Sequence, residues 1–471
     1  MTDWVPMAGS QAMPSREGDL TIEGHGFEPI PDSARYGSVG RVFTVWFTPN
    51  LVPAAFFIGT LVTADFLKLG FLTSVLAILV GNVLGSAFVG ILSTMGPKTG
   101  MAQLPAARLP FGKSIVVPGL LNWISTIGWD GINSLFGALA ITLLVPAIPF
   151  WLGLVFIVLC QAALGVVGYE AIHQFEKWGA IALAVMFVVL TASIAGQADT
   201  SYVDGMSGLD QIGAFVAYVA IVASFVLAWT LYASDYSRYL PRDTSPSRIG
   251  WYALLGATVS SAWLEILGAL VATKATGGES SDTIFNLLGG GGNVVAMLAM
   301  VAIVLGTIAV NGMNDYTGSL SLQAAGIRVR RVYSAVIVAI LGFFWTLYLN
   351  SSNFTNDFTN FLLFISYWIS PFVGVVLADW WLRGRAADVS GLANYARLPS
   401  GTVALAALVI GFLVGIPFQN STLGYGWGGP FNYVTANYLH GADLAYYVGG
   451  AVAFLIYWFG ARSSARLRAT A

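Results

Sequence analysis

Apolar residues in this chain run in long blocks, and the polar residues collect in the short stretches between them. A helix that crosses a bilayer needs about 20 mostly apolar residues. Twelve blocks qualify, approximately 39–65, 70–95, 114–146, 148–168, 172–196, 212–236, 248–273, 293–326, 331–349, 355–382, 401–420 and 442–462. The predicted fold class is an all-α polytopic membrane protein of 12 transmembrane helices. Residues 39–462 form a single transmembrane domain between an N-terminal tail (1–38) and a C-terminal tail (463–471). Several blocks exceed the required length, which predicts tilt, ends reaching into water, or a break.

Composition agrees with the pattern. Of 471 residues, 56 % are hydrophobic and only 9 % charged, against roughly 25 % charged in a soluble domain. So few charges cannot coat a water-soluble protein of this size. That excludes a soluble enzyme, a disordered chain and a nucleic-acid binder with a basic face. The net charge of −2 points to no polyanionic partner, and a lone cysteine, Cys160, excludes a disulfide framework. The first 38 residues are polar and acidic (Glu17, Asp19, Glu23, Glu28, Asp32) and carry no apolar signal-peptide core.

The charges also orient the chain. With twelve spans, all of the 21 lysines and arginines except Lys68 and Lys274 fall on the side of the two termini. Basic loops stay cytoplasmic, so both termini are expected there, in a multi-pass protein of the plasma (inner) membrane. No loop is long enough for a sizeable soluble domain. Any chemistry must therefore occur inside the bundle, with the lipid bilayer as its surroundings.

Two spans read as interrupted. Span 1 contains Thr48-Pro-Asn-Leu-Val-Pro53, and each proline lacks a backbone donor. Span 6 has no proline but places Trp229, Thr230 and Tyr232 at mid-membrane. Irregular backbone at that depth is tolerated where it lines a cavity, and interruptions five spans apart point to inverted repeats around a central site. The alternative is a simple proline kink in span 1.

A few polar residues lie at membrane depth. In span 3, Trp129 and Asn133 share a helix face, with Asp130 at its border. A buried carboxylate costs at least ~2.5 kcal/mol and marks function by default; a structural pairing with a neighbouring helix is the alternative. In span 8, Asn311, Asn314 and Asp315 follow one face; packing hydrogen bonds are the alternative for the amides. Glu265 in span 7 is a candidate proton relay, because burial disfavours the charged carboxylate, or a structural hydrogen-bond acceptor. Asp235 and Asp379 lie at cytoplasmic helix ends and read as structural ion pairs. His25, His173 and His440 show no metal-ligand spacing, so no metal site is expected. The run Gly289–Asn293 lacks the Lys-Ser/Thr of a phosphate loop and reads as a flexible linker.

An ordered set of motifs carries a family resemblance over nearly the whole chain. They are Glu23-Gly-His-Gly-Phe-Glu-Pro-Ile-Pro31, Val45-Trp-Phe-Thr-Pro-Asn50, Gly96-Pro-Lys-Thr-Gly100 with Arg108 and Phe111-Gly112, Gly128-Trp129 to Asn133, Ala233-Ser-Asp-Tyr-Ser-Arg-Tyr-Leu-Pro241, and Asn314-Asp-Tyr-Thr317 to Ser321-Leu-Gln323. The chain resembles the nucleobase–cation symporter-1 family, the purine–cytosine permease and hydantoin transporter group. The resemblance implies a leucine-transporter-like 5+5 inverted repeat (about 39–196 and 212–382) plus two C-terminal helices (about 401–462), working by alternating access.

It also implies site residues. Trp129 matches a tryptophan that stacks on the substrate ring, Asn133 an amide that reads its edge, Trp229 a tryptophan over the other face, and Asn314 a span 8 asparagine. Thr48 and Asn50 are the span 1 candidates. The implied activity is import of a cytosine- or purine-type nucleobase by cation symport; hydantoin, allantoin or uracil rings are the alternative cargo. An amino-acid permease on the same fold fits less well with a bulky, proline-flanked span 1 and two site tryptophans. Neither a membrane-embedded enzyme nor a non-transporting sensor finds support. Sodium-coupled relatives carry neighbouring hydroxyls on span 8 where this chain has Gly306-Thr-Ile-Ala-Val310, with Thr307 alone. Protons are therefore preferred to sodium as the coupling ion, with Asp130, Asp315, Glu265 and Thr307 as candidate positions. No cofactor and no obligatory protein partner are implied.

Overall fold

The computed structural model describes residues 28–167, 169–195, 203–272, 280–327, 329, 331–421 and 430–462. The expected tail residues 1–27 and 463–471 lie outside them, as do Lys274, His25 and the first part of the Glu23–Pro31 motif.

The described chain is all helical. Span 1 is α1 (Gly40–Phe47), a 3-10 turn at Thr48–Asn50, and α2 (Pro53–Thr60), bent by 60°. Val52 is extended (φ −130°, ψ 153°) because it precedes a proline, and Pro53 then starts the second half where its missing N–H does no harm. Pro49 tightens the turn, but the break is made at Val52–Pro53. A simple proline kink is thereby ruled out.

Then follow α3 (Phe71–Ser93) and three short helices, α4 (Met95–Thr99), α5 (Gln103–Ala106) and α6 (Arg108–Phe111). Next come α7 (Val116–Leu144), α8 (Phe150–Val167) and α9 (Tyr169–Ala195). Span 6 is α10 (Gly208–Leu227), a 3-10 stretch at Ala228–Tyr232, and α11 (Ala233–Ser237). It tightens without bending, unlike span 1, because no proline removes its donors; Ala233 N still bonds Thr230 O.

The second half continues with α12 (Pro246–Ala272), α13 (Ser280–Leu287), α14 (Val294–Ala324), α15 (Arg331–Ser351) and α16 (Phe354–Leu382). After these come α17 (Thr402–Gly415), α18 (Tyr433–Tyr438) and α19 (Ala445–Ala461). Seven helices are long and apolar enough to cross a membrane, and the bent pair makes an eighth. Four more apolar helices are shorter within the described residues: Phe150–Leu164, Ile181–Ile194, Thr402–Phe418 and Ala445–Ala461.

Two packing groups matter for function. Helices α1–α3 pack with α10 and α12, while α7, α8, α14 and α15 pack together. Outside them, α17 and α19 lie against α16. Small residues let the first group close: a Cβ on Gly59 of α2 would sit 2.0 Å from Glu265 O of α12, so the two backbones touch there. At the C-terminal end of α14, Arg108 donates to Gln323 O (2.8 Å), Ala324 O (2.9 Å) and Leu392 O (2.6 Å). A cation suits the negative end of a helix.

Loop structure is richer than the sequence reading allowed. The Gly289–Asn293 run is an ordered turn: Gly290 N bonds Phe285 O to close α13, and Asn293 caps α14 through Val295 N. The Asp379 ion pair is present, with Arg383 Nε 2.7 Å from Oδ2. Asp235 accepts from Gln103 N (2.8 Å) and Thr317 Oγ1 (2.7 Å), tying α11 to α5 and α14.

Candidate functional site

A cavity lies where the two packing groups meet. Its walls come from the breaks and from the long helices opposite. Pro49 and Val52 enter from span 1, and Phe225, Ala228, Trp229 and Tyr232 from α10 and its 3-10 stretch. Trp129 and Asn133 come from α7, and Val310 and Asn314 from α14.

The two indoles are held by their surroundings but not stacked. Trp129 meets Phe225 (centroids 5.7 Å apart, 71°) and Phe361 (5.2 Å, 83°) edge-on. Trp229 meets Tyr232 (5.2 Å, 72°) and Trp46 (5.8 Å, 64°) in the same manner. Among the described residues neither indole stacks face to face on a protein ring, which leaves ring faces for a flat guest. The Trp229 Nε1 donor is already used on Asn50 Oδ1 at 2.9 Å. Trp229 therefore offers a surface rather than a hydrogen bond.

The amides form a second wall. Asn311 Oδ1 accepts from Asn133 Nδ2 (3.0 Å) and from Asn314 Nδ2 (3.5 Å), and Asn314 Oδ1 accepts from Tyr232 OH (3.0 Å). Among the described residues no protein donor bonds Asn133 Oδ1, which leaves an acceptor at the cavity. Asn311 Nδ2 continues to Gln161 Oε1 (2.6 Å) and Ser134 Oγ (3.0 Å).

Four of the six residues expected around a substrate thus line one cavity: Trp129, Asn133, Trp229 and Asn314. Thr48 and Asn50 do not line it. Asn50 holds Trp229 and bonds Trp46 O (2.7 Å), while Thr48 Oγ1 is turned back onto Thr44 O (2.8 Å). Both hydroxyl and amide satisfy backbone or ring groups near the break, and proline-flanked Pro49 and Val52 face the cavity instead. Of the coupling candidates, Asp130 and Asp315 lie together behind the amides, and Thr307 Oγ1 bonds Asn133 O at 3.3 Å. Glu265 is elsewhere, in the first packing group, accepting from Asn82 Nδ2 at 2.5 Å.

Sequence reasoning missed Phe225 and Val310, which carry no polar signal. It also missed Gln161, although a lone amide in the otherwise apolar α8 was a usable signal. Among the described residues no three His, Cys, Asp or Glu side chains converge on a metal position.

A family model described as a permease for cytosine/purines, uracil, thiamine and allantoin matches residues 29–449. The chain belongs to that family. It is 28 % identical to the putative purine-cytosine permease YxlA of Bacillus subtilis over 93 % of this chain and 96 % of that one. It is 26 % identical to the purine-cytosine permease fcyB of Emericella nidulans, over 93 % and 88 %. A solved structure of Mhp1, a nucleobase-cation-symport-1 family transporter in a closed conformation with bromovinylhydantoin bound, superposes with a TM-score of 0.74 at 19 % identity, covering 94 % of this chain and 98 % of that one. At that identity the likeness establishes the fold, which is the leucine-transporter-like one. The family's members are permeases, so the cavity belongs to a membrane transporter and not to an enzyme.

Proposed function

We propose that this permease carries a cytosine- or purine-type nucleobase, or a related flat heterocycle, into the cell across the plasma (inner) membrane. Transport is by alternating access, with a proton rather than sodium as the co-transported ion. The observation that carries the reading is the cavity itself, which sets two unstacked indoles beside two amides. Stacking on aromatic rings contributes ~1–3 kcal/mol per base in nucleic-acid-binding proteins. An asparagine supplies both a donor and an acceptor to a base edge. A site that satisfies those groups rejects analogues lacking them.

The family description, with allantoin and uracil among its cargoes, supports a second reading in which the ring is an allantoin, hydantoin or uracil. An amino-acid cargo lacks support, because no unpaired charged group lines the cavity.

Taking the four shorter apolar helices as spans gives twelve, divided five, five and two, with both termini cytoplasmic. Thr307, the only hydroxyl in its stretch of α14, is engaged with a backbone carbonyl, which favours the proton over sodium. The reading calls for no cofactor and no obligatory protein partner.

Uptake of radiolabelled cytosine, adenine, hypoxanthine, uracil and allantoin, each with and without sodium and with a protonophore, tests it. Accumulation of at least one ring that survives sodium removal and collapses with the protonophore is expected. Strict sodium dependence would overturn the proton, and transport of none of the rings would overturn the cargo.

A further inference from the structure

Behind the amides of the cavity two carboxyls meet. Asp130 on α7 and Asp315 on α14 are 0 % and 1 % exposed and are neighbours, with the Asn314 side chain beside Asp130. Gln161 Nε2 donates to Asp130 Oδ2 at 3.0 Å. Among the described residues, Asp130 Oδ1 and both Asp315 oxygens receive no protein donor, and no lysine, arginine or histidine pairs with either residue. Among the described residues, the Tyr232 phenol faces both aspartates, and Asp235 faces the same phenol. The phenol is used on Asn314, and Asp235 is used on Gln103 and Thr317. Helix α8 meets Asp130 through the neutral Gln161, and α15 through Gly342.

Two like charges at this separation and depth cannot both persist. Three acceptor oxygens without a donor also lack what a single bound proton would supply, an O–H between the carboxyls. We propose that Asp130 and Asp315 share one exchangeable proton and are the coupling site of this transporter. The link to the cargo is the amide relay. Gln161 bonds both Asp130 and Asn311, and Asn311 bonds Asn133 and Asn314 at the cavity wall. A proton arriving on the pair turns an acceptor into a donor, so Gln161 and Asn311 re-pair and the amides that meet the ring are reset. When the proton leaves on the other side of the membrane, the pair returns to its starting charge. This inference rests on reading the cavity as the ring site.

Two measurements on the purified full-length transporter in proteoliposomes separate the two ideas. Infrared difference spectra through a pH titration, with no substrate present, are expected to show a protonated-carboxyl C=O band that Asp130→Asn and Asp315→Asn each remove. Carboxyl bands untouched by both substitutions would overturn the pair. Gln161→Leu keeps both carboxyls, and should the asparagine variants fail to fold it serves in their place. It is expected to shift the pH midpoint of the band, and an unmoved midpoint would overturn the pair.

The second measurement is the ratio of pH-gradient-driven accumulation to homoexchange of radiolabelled cytosine, adenine, uracil or allantoin in sodium-free buffer. Asp315→Asn should lower this ratio about tenfold, the scale of a typical coupling between sites. An unchanged ratio would overturn the coupling role. If the wild type carries none of the four rings, the cargo reading fails while the infrared titration still decides the pair.

Discussion

Asp130–Asp315 and Glu265 are both buried carboxyl sites at membrane depth, yet their surroundings differ in kind. Glu265 sits where α2, α3 and α12 pack against each other. It accepts one bond from Asn82, and its own backbone carbonyl is pressed against Gly59. Among the described residues no hydrogen bond leads from it to the cavity. The aspartates sit between α7 and α14, and three amides connect them to the cavity wall. A buried acid is a strong signal either way, but its hydrogen-bonded neighbours decide whether a ligand can sense it. The contrast sets an acid held within a helix contact against a pair connected to the cavity, and on the proposal above only the second couples transport.

The largest test of the contrast is at the cavity end of the relay. Asn314→Ala and Trp129→Ala should each abolish uptake while the protein still reaches the membrane. Loss of the Trp129 stacking surface alone, at ~1–3 kcal/mol, weakens binding roughly 5- to 150-fold. Surface-normalised uptake measures this, and undiminished transport by both variants would dissolve the site. Next in size is the other acid. Glu265→Gln, isosteric and still able to bond Asn82, should leave uptake within about twofold of wild type, whereas Glu265→Ala should cost stability by the ~1–3 kcal/mol of an orphaned buried amide. Thermal unfolding and uptake together read both effects. Accumulation lost by Glu265→Gln with exchange retained would place Glu265 in the coupling machinery and erase the contrast.

The smallest effect concerns a third acid, Asp443, in the turn before α19. Burial pushes its carboxyl from the ordinary 3.8 up to about 6, although Tyr367 OH, Asn420 N and Ala445 N bond it. A folded-state pKa above the unfolded one means that the charged form opposes folding. Stability from this group should therefore rise as pH falls from above 6 toward 4. Melting temperature against pH, flattened in that window by Asp443→Asn, checks the sign; a wild-type curve that falls over the same window would refute it.

Much of the fold could be read from the sequence because membrane spans announce themselves by length and apolarity, and Pro53 marks the break in span 1 by simple chain geometry. The 3-10 stretch of span 6 was located only by its polar side chains, since no residue there forces the backbone. Loop helices such as α13 were missed because short amphipathic segments carry little hydropathy signal. Trp129, Asn133, Trp229 and Asn314, chosen through the family motifs, all line the one cavity. Thr48 and Asn50 do not line it, because side chains next to a break can turn toward freed backbone or a neighbouring ring as readily as toward a ligand. Gln161 required three dimensions, as its partners Asp130 and Asn311 are 31 and 150 positions away.

Arg108 has a mechanical consequence. Its guanidinium bonds two carbonyls at the end of α14 and one at Leu392, in the loop between α16 and α17. Bonds to a charged group are worth ~1.5–3 kcal/mol each, so pulling these parts asunder means breaking three at once. The segment leading into α7, the C-terminal end of α14 and that loop are therefore riveted into one rigid body. Any rearrangement at this end of the bundle has fewer independent parts to coordinate than the number of helices implies, and the strength of the rivet bears on how fast that rearrangement runs rather than on how tightly the cavity holds a guest.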